Sequence, residues 1–189
     1  MIAAEAGATR ERSAMNVDYI NPFLSSTIYL FSKMFSLEAR KTGEPYIEEA
    51  LTRHRWDISG VMVLTGNALG VVALRLSKVL ANKLLEKSGI ICENEIERHQ
   101  LVDDMVGELV NIIAGNAARE LQGFDIKVSV PLVVQGQNHS ISWPAKGPVV
   151  GIPFWTPLGP FLINVSLAAT GPRPAVAQQT VQIASPNKN

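Results

Sequence analysis

The sequence has a single cysteine, Cys92, so no disulfide can form within the chain, and it has neither a C-x-x-C pair nor a Cys/His set at zinc spacing. Net charge is absent too. Seventeen basic side chains offset seventeen acidic ones, which removes the positive field that draws a protein onto nucleic acid or anionic lipid. Met1 to Ser13 lacks an unbroken apolar stretch, being interrupted by Glu5, Arg10, Glu11 and Arg12, so export is not expected. One long run, Gly147 to Pro172, has no charge and is long enough to span a bilayer. Pro148, Pro153, Pro157 and Pro160 would break a helix there, and buried strands and turns are expected instead. No Gly-rich phosphate loop follows a strand, and Gly-x-Ser-x-Gly is missing. These absences suit a cytoplasmic protein whose main partner is neither nucleic acid nor membrane.

What is present points to one folded domain. Of 189 residues 47% are hydrophobic against 18% charged, which supplies a single sizeable core. Met1 to Ala14 is small and polar without a period, and Met15 opens the patterned region, so residues 1–14 are expected to form an unstructured leader. From Gly171 to Asn189 the chain is rich in Pro, Gln, Asn and small residues, and a flexible tail is expected. The domain between, residues 15–170, opens with Asn21-Pro22, a cap-then-proline helix start. Phe23, Ile28, Phe31, Met34 and Phe35 follow at mostly three- and four-residue intervals. Strands are predicted over Glu44 to Leu51, Ile58 to Leu64 and Leu69 to Leu76, the last two joined by the turn Thr65-Gly66-Asn67-Ala68. Ser77 caps a second helix that ends at Gly89. Beyond a third helix, Phe124, Ile126, Val128 and Val130 alternate with Asp125, Lys127 and Ser129, the period of a strand with one wet face. Further strands fit Ser140 to Trp143, Val149 to Trp155 and Phe161 to Leu167. Helix, three strands, two helices and four strands define an α+β domain whose antiparallel sheet is covered on one side by helices.

The third helix carries the chemistry. Asn94 with Glu97 three residues on is a capping box with Asn in place of Ser or Thr, and the helical pattern runs to Leu121 before Gly123 stops it. At about 100° per residue, Val102, Met105, Val106, Leu109, Val110, Ile112, Ile113 and Ala117 form one broad arc, the predicted buried face. Asp104, Glu108, Asn111, Gly115 and Arg119 fall within roughly 80° of one another on the opposite side. Solvation alone gives an amphipathic helix a polar stripe. Gly107 and Gly115, however, each cost about 1 kcal/mol relative to Ala, and Asn111 costs several tenths. Local rules broken on one face suggest a site, and glycine keeps that face low enough for another backbone to come close. Asn is no general base near neutral pH, but its carboxamide both donates and accepts, so it can hold a water in one direction. Glutamine does this in GTPases, where aiming a water at a phosphoryl group supplies much of the catalysis. A Glu one turn earlier, its Cβ about 5–6 Å away, can pair with a lysine on the molecule that carries the phosphoryl group.

The run DDMVGELVNIIAGNAARELQG, Asp103 to Gly123, resembles the signature helix of the CheX and CheC chemotaxis phosphatases, in which Glu-x-x-Asn is followed four residues later by Gly. The opening NVDYINPFLSSTIYLFSKMF, the strand VSVPLVVQGQ from Val128 to Gln137 and the closing TPLGPFLINVSL from Thr156 to Leu167 are similar to CheX in the same order, from Met15 to Ala169. The resemblance implies an enzyme that removes the phosphoryl group from the aspartyl phosphate of a CheY-like receiver. Asn111 would orient the attacking water, Glu108 would bridge to the receiver's lysine, and Asp104, Gly107, Gly115 and Arg119 would line the contact. The magnesium ion would belong to the receiver, leaving no cofactor and no metal site in this chain. CheC-type members carry two such helices; only one is found here, so the resemblance implies a CheX-like homodimer joined through sheet edges. Asp103 and Asp104 would face an acidic receiver site, so docking is expected to be weak and salt-sensitive.

A rival reading is a non-enzymatic module that binds a receiver or the flagellar switch through the same stripe. A purely structural domain would be favoured if Glu108 and Asn111 were buried against their own chain. His54, His99 and His139 lie far apart and read as surface or capping residues, Cys92 as an ordinary thiol, and Trp56, Trp143 and Trp155 as core or dimer-seam residues. Neutrality is also uneven: Glu93 to Glu108 holds six acidic residues against one basic, a local charge of −5, which points to a protein partner that offers a lysine.

Overall fold

Spacing of aromatic residues drives the first element. In α1 (Val17–Phe35), Phe23, Phe31 and Phe35 are buried on one face. The helix begins ahead of the predicted Asn21-Pro22 start, with Pro22 inside it. The missing Pro22 N–H costs a backbone bond, but Ile20, 5% exposed, and Tyr19, edge-on to Phe124 at 5.3 Å, bind the earlier turn to the core. The computed structural model describes residues 17–48, 56–136, 139, 141, 143 and 147–170; the predicted leader and tail lie outside them.

Ten elements follow: β1 (Arg40–Lys41), β2 (Tyr46–Ile47), β3 (Ile58–Gly66), β4 (Ala68–Leu76), α2 (Lys78–Lys87), α3 (Glu95–Glu120), β5 (Ile126–Val128), β6 (Leu132–Gln135), β7 (Val150–Thr156) and β8 (Gly159–Ala169). The strands form one antiparallel sheet in the order β1-β7-β8-β4-β3-β5, with β2 also on β7 and β6 also on β3. The α+β class therefore holds. The β3–β4 hairpin and the two C-terminal strands fall where the sequence placed them, and the uncharged run from Gly147 forms β7 and β8 rather than a span. No helix among the described residues is long and apolar enough to cross a membrane.

Three strand predictions need correction. Of Glu44 to Leu51 only Tyr46-Ile47 is strand, paired with β7 and not with the hairpin; residues 49–51 lie outside the described residues. Ile141 and Trp143 are not in a strand, and the other two residues of the Ser140 to Trp143 prediction are outside those described. The predicted Phe124–Val130 alternation holds from Phe124 to Lys127 and then fails, for a reason visible in the register. Leu64 pairs with Val128, but Val61 pairs with Leu132. Two residues of β3, Met62 and Val63, thus stand opposite three, Ser129 to Pro131. This is a β-bulge, and the extra residue reverses which side chains face the helices. Pro131 has no N–H to give the ladder, and Ser129 takes up Val63 instead: its N–H donates to the Val63 carbonyl and its hydroxyl accepts from the Val63 N–H. Val130 is left 85% exposed.

The helices cover one face of the sheet. Val72, Leu74 and Leu76 of β4 and Phe161, Ile163 and Val165 of β8 join the core beneath them. Phe161 stacks between Phe31 and Phe154, with centroids 4.4 and 4.9 Å away. Alternation turns Arg75 and Asn164 to the other face. There Glu48, just past β2, receives Arg75 Nη1 at 3.2 Å on one carboxylate oxygen and Asn164 Nδ2 on the other. Tyr46 lies over Gly151, where an added Cβ would come within 2.6 Å of its ring. Burial, reinforced by the Glu48 carboxylate, raises the Tyr46 hydroxyl above its ordinary pKa.

Candidate functional site

Helix α3 is capped as its sequence predicts. Asn94 Oδ1 accepts from the Glu97 N–H at 2.9 Å, while the Glu97 carboxylate accepts from the Glu93 N–H. Beyond the last turn Gly123 takes a φ of 78°, the left-handed stop. The helix lies on β3 at Gly60. A Cβ there would stand 3.0 Å from the Val106 carbonyl oxygen and 3.1 Å from Val110 Cγ1, so only glycine permits this approach without displacement. Val102, Met105, Val106, Leu109, Val110, Ile113 and Ala117 are buried as predicted; Ile112 is half-buried at the margin of the core.

On the opposite side Asp104, Glu108 and Arg119 are exposed, and Asn111 and Gly115 are half-exposed. Neither Glu108 nor Asn111 is buried against its own chain. Asn111 Nδ2 donates to Glu108 Oε2 at 3.5 Å, a long and weak bond that leaves both groups available to a partner. A Cβ at Gly115 would meet nothing within 4 Å, so the helix backbone is bare one turn beyond Asn111.

Gly107 does not belong to this exposed face. It is buried, and a Cβ there would lie 3.5 Å from Val133 and 3.6 Å from Pro131. The wheel places it about 40° from Asn111, but the β5–β6 bulge brings Pro131 and Val133 over it. Those are ordinary contact distances, so Gly107→Ala is expected to stabilise the fold by about 0.5–1 kcal/mol through helix propensity. A denaturation midpoint below that of the wild type would contradict this placement.

The same bulge turns Gln135 to the helix, where its Nε2 donates to Asp103 Oδ1 at 2.7 Å and to the His99 carbonyl at 3.3 Å. Asp103 is thereby engaged within the chain, and Asp104 alone of the acidic pair is exposed. Nothing in the strand pattern marks Gln135 or Pro131 as neighbours of the site; a proline within an apolar run was the available signal for a bulge.

Other candidates stay apart from the stripe. His139 Nδ1 donates to the Gly136 carbonyl at 2.7 Å, which leaves Nε2 to accept from the buried Ser59 hydroxyl at 2.7 Å. Cys92 is half-buried against the core. Trp56 and Trp143 are half-buried, and Trp155 is 44% exposed on β7, where it pairs with Arg40 of β1. His54 lies outside the described residues. Among those described, no three His, Cys, Asp or Glu side chains converge as metal ligands.

Residues 58–155 match the family described as chemotaxis phosphatase CheX. The chain belongs to this family. Among solved structures it is similar to chemotaxis protein CheX from Vibrio vulnificus, at 30% identity and a TM-score of 0.70 over 80% of this chain and 99% of that one. It is also similar to a chemotactic CheC-like protein from Shewanella oneidensis MR-1, at 32% identity and 0.68 over 82% of this chain and 100% of that one. The CheX–CheY–BeF3–Mg2+ complex from Borrelia burgdorferi shares the fold, at 24% identity and 0.67 over 80% of this chain and 98% of that one. No curated protein matches the sequence.

Proposed function

We propose that residues 15–170 form a cytoplasmic protein phosphatase that hydrolyses the aspartyl phosphate of a CheY-like receiver. The observation that carries this reading is the presentation of Asn111 beside Glu108 on an exposed helix face, in a chain of the CheX family. The Asn111 carboxamide holds a water in line with the acyl phosphate. The water oxygen bonds to phosphorus, the bond from phosphorus to the aspartyl oxygen breaks, and the products are inorganic phosphate and the free carboxylate. Glu108 pairs with the receiver's lysine, and the receiver supplies Mg2+, which offsets the charge of its own acidic pocket. The crystallised Borrelia relative in complex with CheY supports a receiver as the partner.

The protein is further proposed to act as a homodimer through its sheet edges. Val128, Val130 and Leu132, 36%, 85% and 63% exposed, lie along the β5–β6 edge and suit such a contact. Sedimentation as a monomer at working concentration would contradict the dimer. Gly115 is read as clearance for the receiver backbone. Gly115→Leu is expected to fold normally yet lower kcat/KM by at least about tenfold, through displacement of the docked partner; unchanged kcat/KM would remove Gly115 from the interface. The reading as a whole is tested by the decay of a phosphorylated CheY-like receiver, expected to accelerate when the protein is added. An unchanged decay overturns the phosphatase and favours the binding module.

A further inference from the structure

Charges around the α3 stripe are mostly engaged within the chain. Arg98 pairs with Glu86 and Glu95, each at 3.6 Å. Asp103 accepts from the Gln135 amide of β6, and Glu120 accepts from the Ser25 hydroxyl of α1 at 3.2 Å, contacts that anchor both side chains to other elements without neutralising them. The three charges on the stripe itself are held, among the described residues, by no other element. Asp104, Glu108 and Arg119 join none of the ion pairs among the described residues; Glu108 and Arg119 touch only the neutral amides of Asn111 and Asn116.

Helix physics does not account for the acidic half of this arrangement. Asp104 and Glu108 are an i,i+4 pair of like charge, which destabilises a helix. They stand beyond the first turn of α3 (Glu95–Glu120), so the macrodipole gives them little. Arg119 in the last turn does suit the dipole. It also places a positive end on the stripe about 22 Å along the axis from Asp104, with Asn111 between them.

We infer that the stripe is electrically polarised so as to fix the direction in which the receiver lies along α3. A cationic patch of the receiver, rather than the acidic site that the sequence alone sets against Asp104, covers Asp104 and Glu108, and an acidic group of the receiver faces Arg119. A receiver turned end for end would meet like charge at both ends, and such juxtaposition rejects wrong orientations more than it adds affinity. The Asn111 carboxamide then meets the acyl phosphate in one geometry only. Arg119 is thus a specificity-determining residue. The inference rests on the receiver reading above.

The test uses the full chain and a CheY-like receiver phosphorylated with acetyl phosphate. Arg119→Glu is expected to lower kcat/KM about tenfold at low ionic strength, and the deficit shrinks to within about twofold near 0.5 M salt. Arg119→Lys, which keeps the charge, stays within about twofold of wild type throughout. A role for Arg119 confined to the helix dipole would lower the thermal midpoint without a salt-dependent loss of kcat/KM. An active wild type whose kcat/KM ignores the reversal, or whose loss salt does not relieve, overturns the inference alone. A wild type inert on the receiver overturns the receiver reading and this inference with it.

Discussion

Asn111→Ala is expected to fold and bind the receiver normally but to lose phosphatase activity by about a hundredfold or more, the scale on which misplacing a reacting group acts. The side chain sits half-exposed on a helix whose opposite face is buried, so its truncation removes no core packing. Its only side-chain hydrogen bond among the described residues is the 3.5 Å contact to Glu108. Stability should therefore change by no more than a few tenths of a kcal/mol. Asn111→Asp is a sharper probe, because it nearly preserves shape while replacing a donor with a second anion beside Glu108; it should fail as well, by repelling the phosphoryl oxygens. Measured phosphate release, with circular dichroism and binding of Mg2+·BeF3−-loaded receiver as controls, checks this. Retained activity in Asn111→Ala would show that another group directs the water.

Breaking the Glu48–Arg75 pair should have the largest effect on stability. The two side chains are 11% and 8% exposed, and Asn164, which also grips Glu48, is fully buried. Glu48→Ala strands a guanidinium and an amide on the sheet face away from the helices, where Arg75 Nε and Asn164 Oδ1 already lack partners among the described residues. Removing one member of such a pair costs about 3–5 kcal/mol. For a chain of this length the thermal midpoint should fall by roughly 6–20 °C. Replacing both members, as in Glu48→Leu with Arg75→Met, should recover a large part of the loss, because no buried charge is then unpaired. A single substitution that costs under about 1 kcal/mol would mean that the Glu48–Arg75 pair is readily reached by water.

Much of this fold could be read from the sequence because local signals and burial agreed. Ser77 accepts from the Leu80 N–H, Asn94 accepts from the Glu97 N–H, and α2 and α3 end at the glycines expected to end them. The β3–β4 pairing and the last two strands followed from apolar β-branched runs between turn residues. The failures arose where tertiary contacts override local preference. Pro22 sits inside α1 because Tyr19 and Ile20 have core partners distant in sequence. The bulge at Ser129 to Pro131 leaves the composition of the strand unchanged but slips its register by one, which the period from Phe124 onward cannot reveal.

The same division holds at the site. Asp104, Glu108, Asn111, Gly115 and Arg119 share a face because α3 is regular, and regularity is what a helical wheel assumes. Gly107 is lost from that face because β6 comes over it, a fact belonging to sheet register and not to the helix. The capture of Asp103 by Gln135 has the same origin.

The most direct measurement is turnover at a sub-stoichiometric ratio, with a phosphorylated CheY-like receiver in at least tenfold excess over this protein, as multiple-turnover conditions require. The expected result is a decay rate that rises in proportion to the protein added, with each protein molecule releasing many phosphates and the receiver recovered unmodified. Decay that remains at the spontaneous rate, or that changes only in stoichiometric proportion to bound receiver, would contradict catalysis at Asn111.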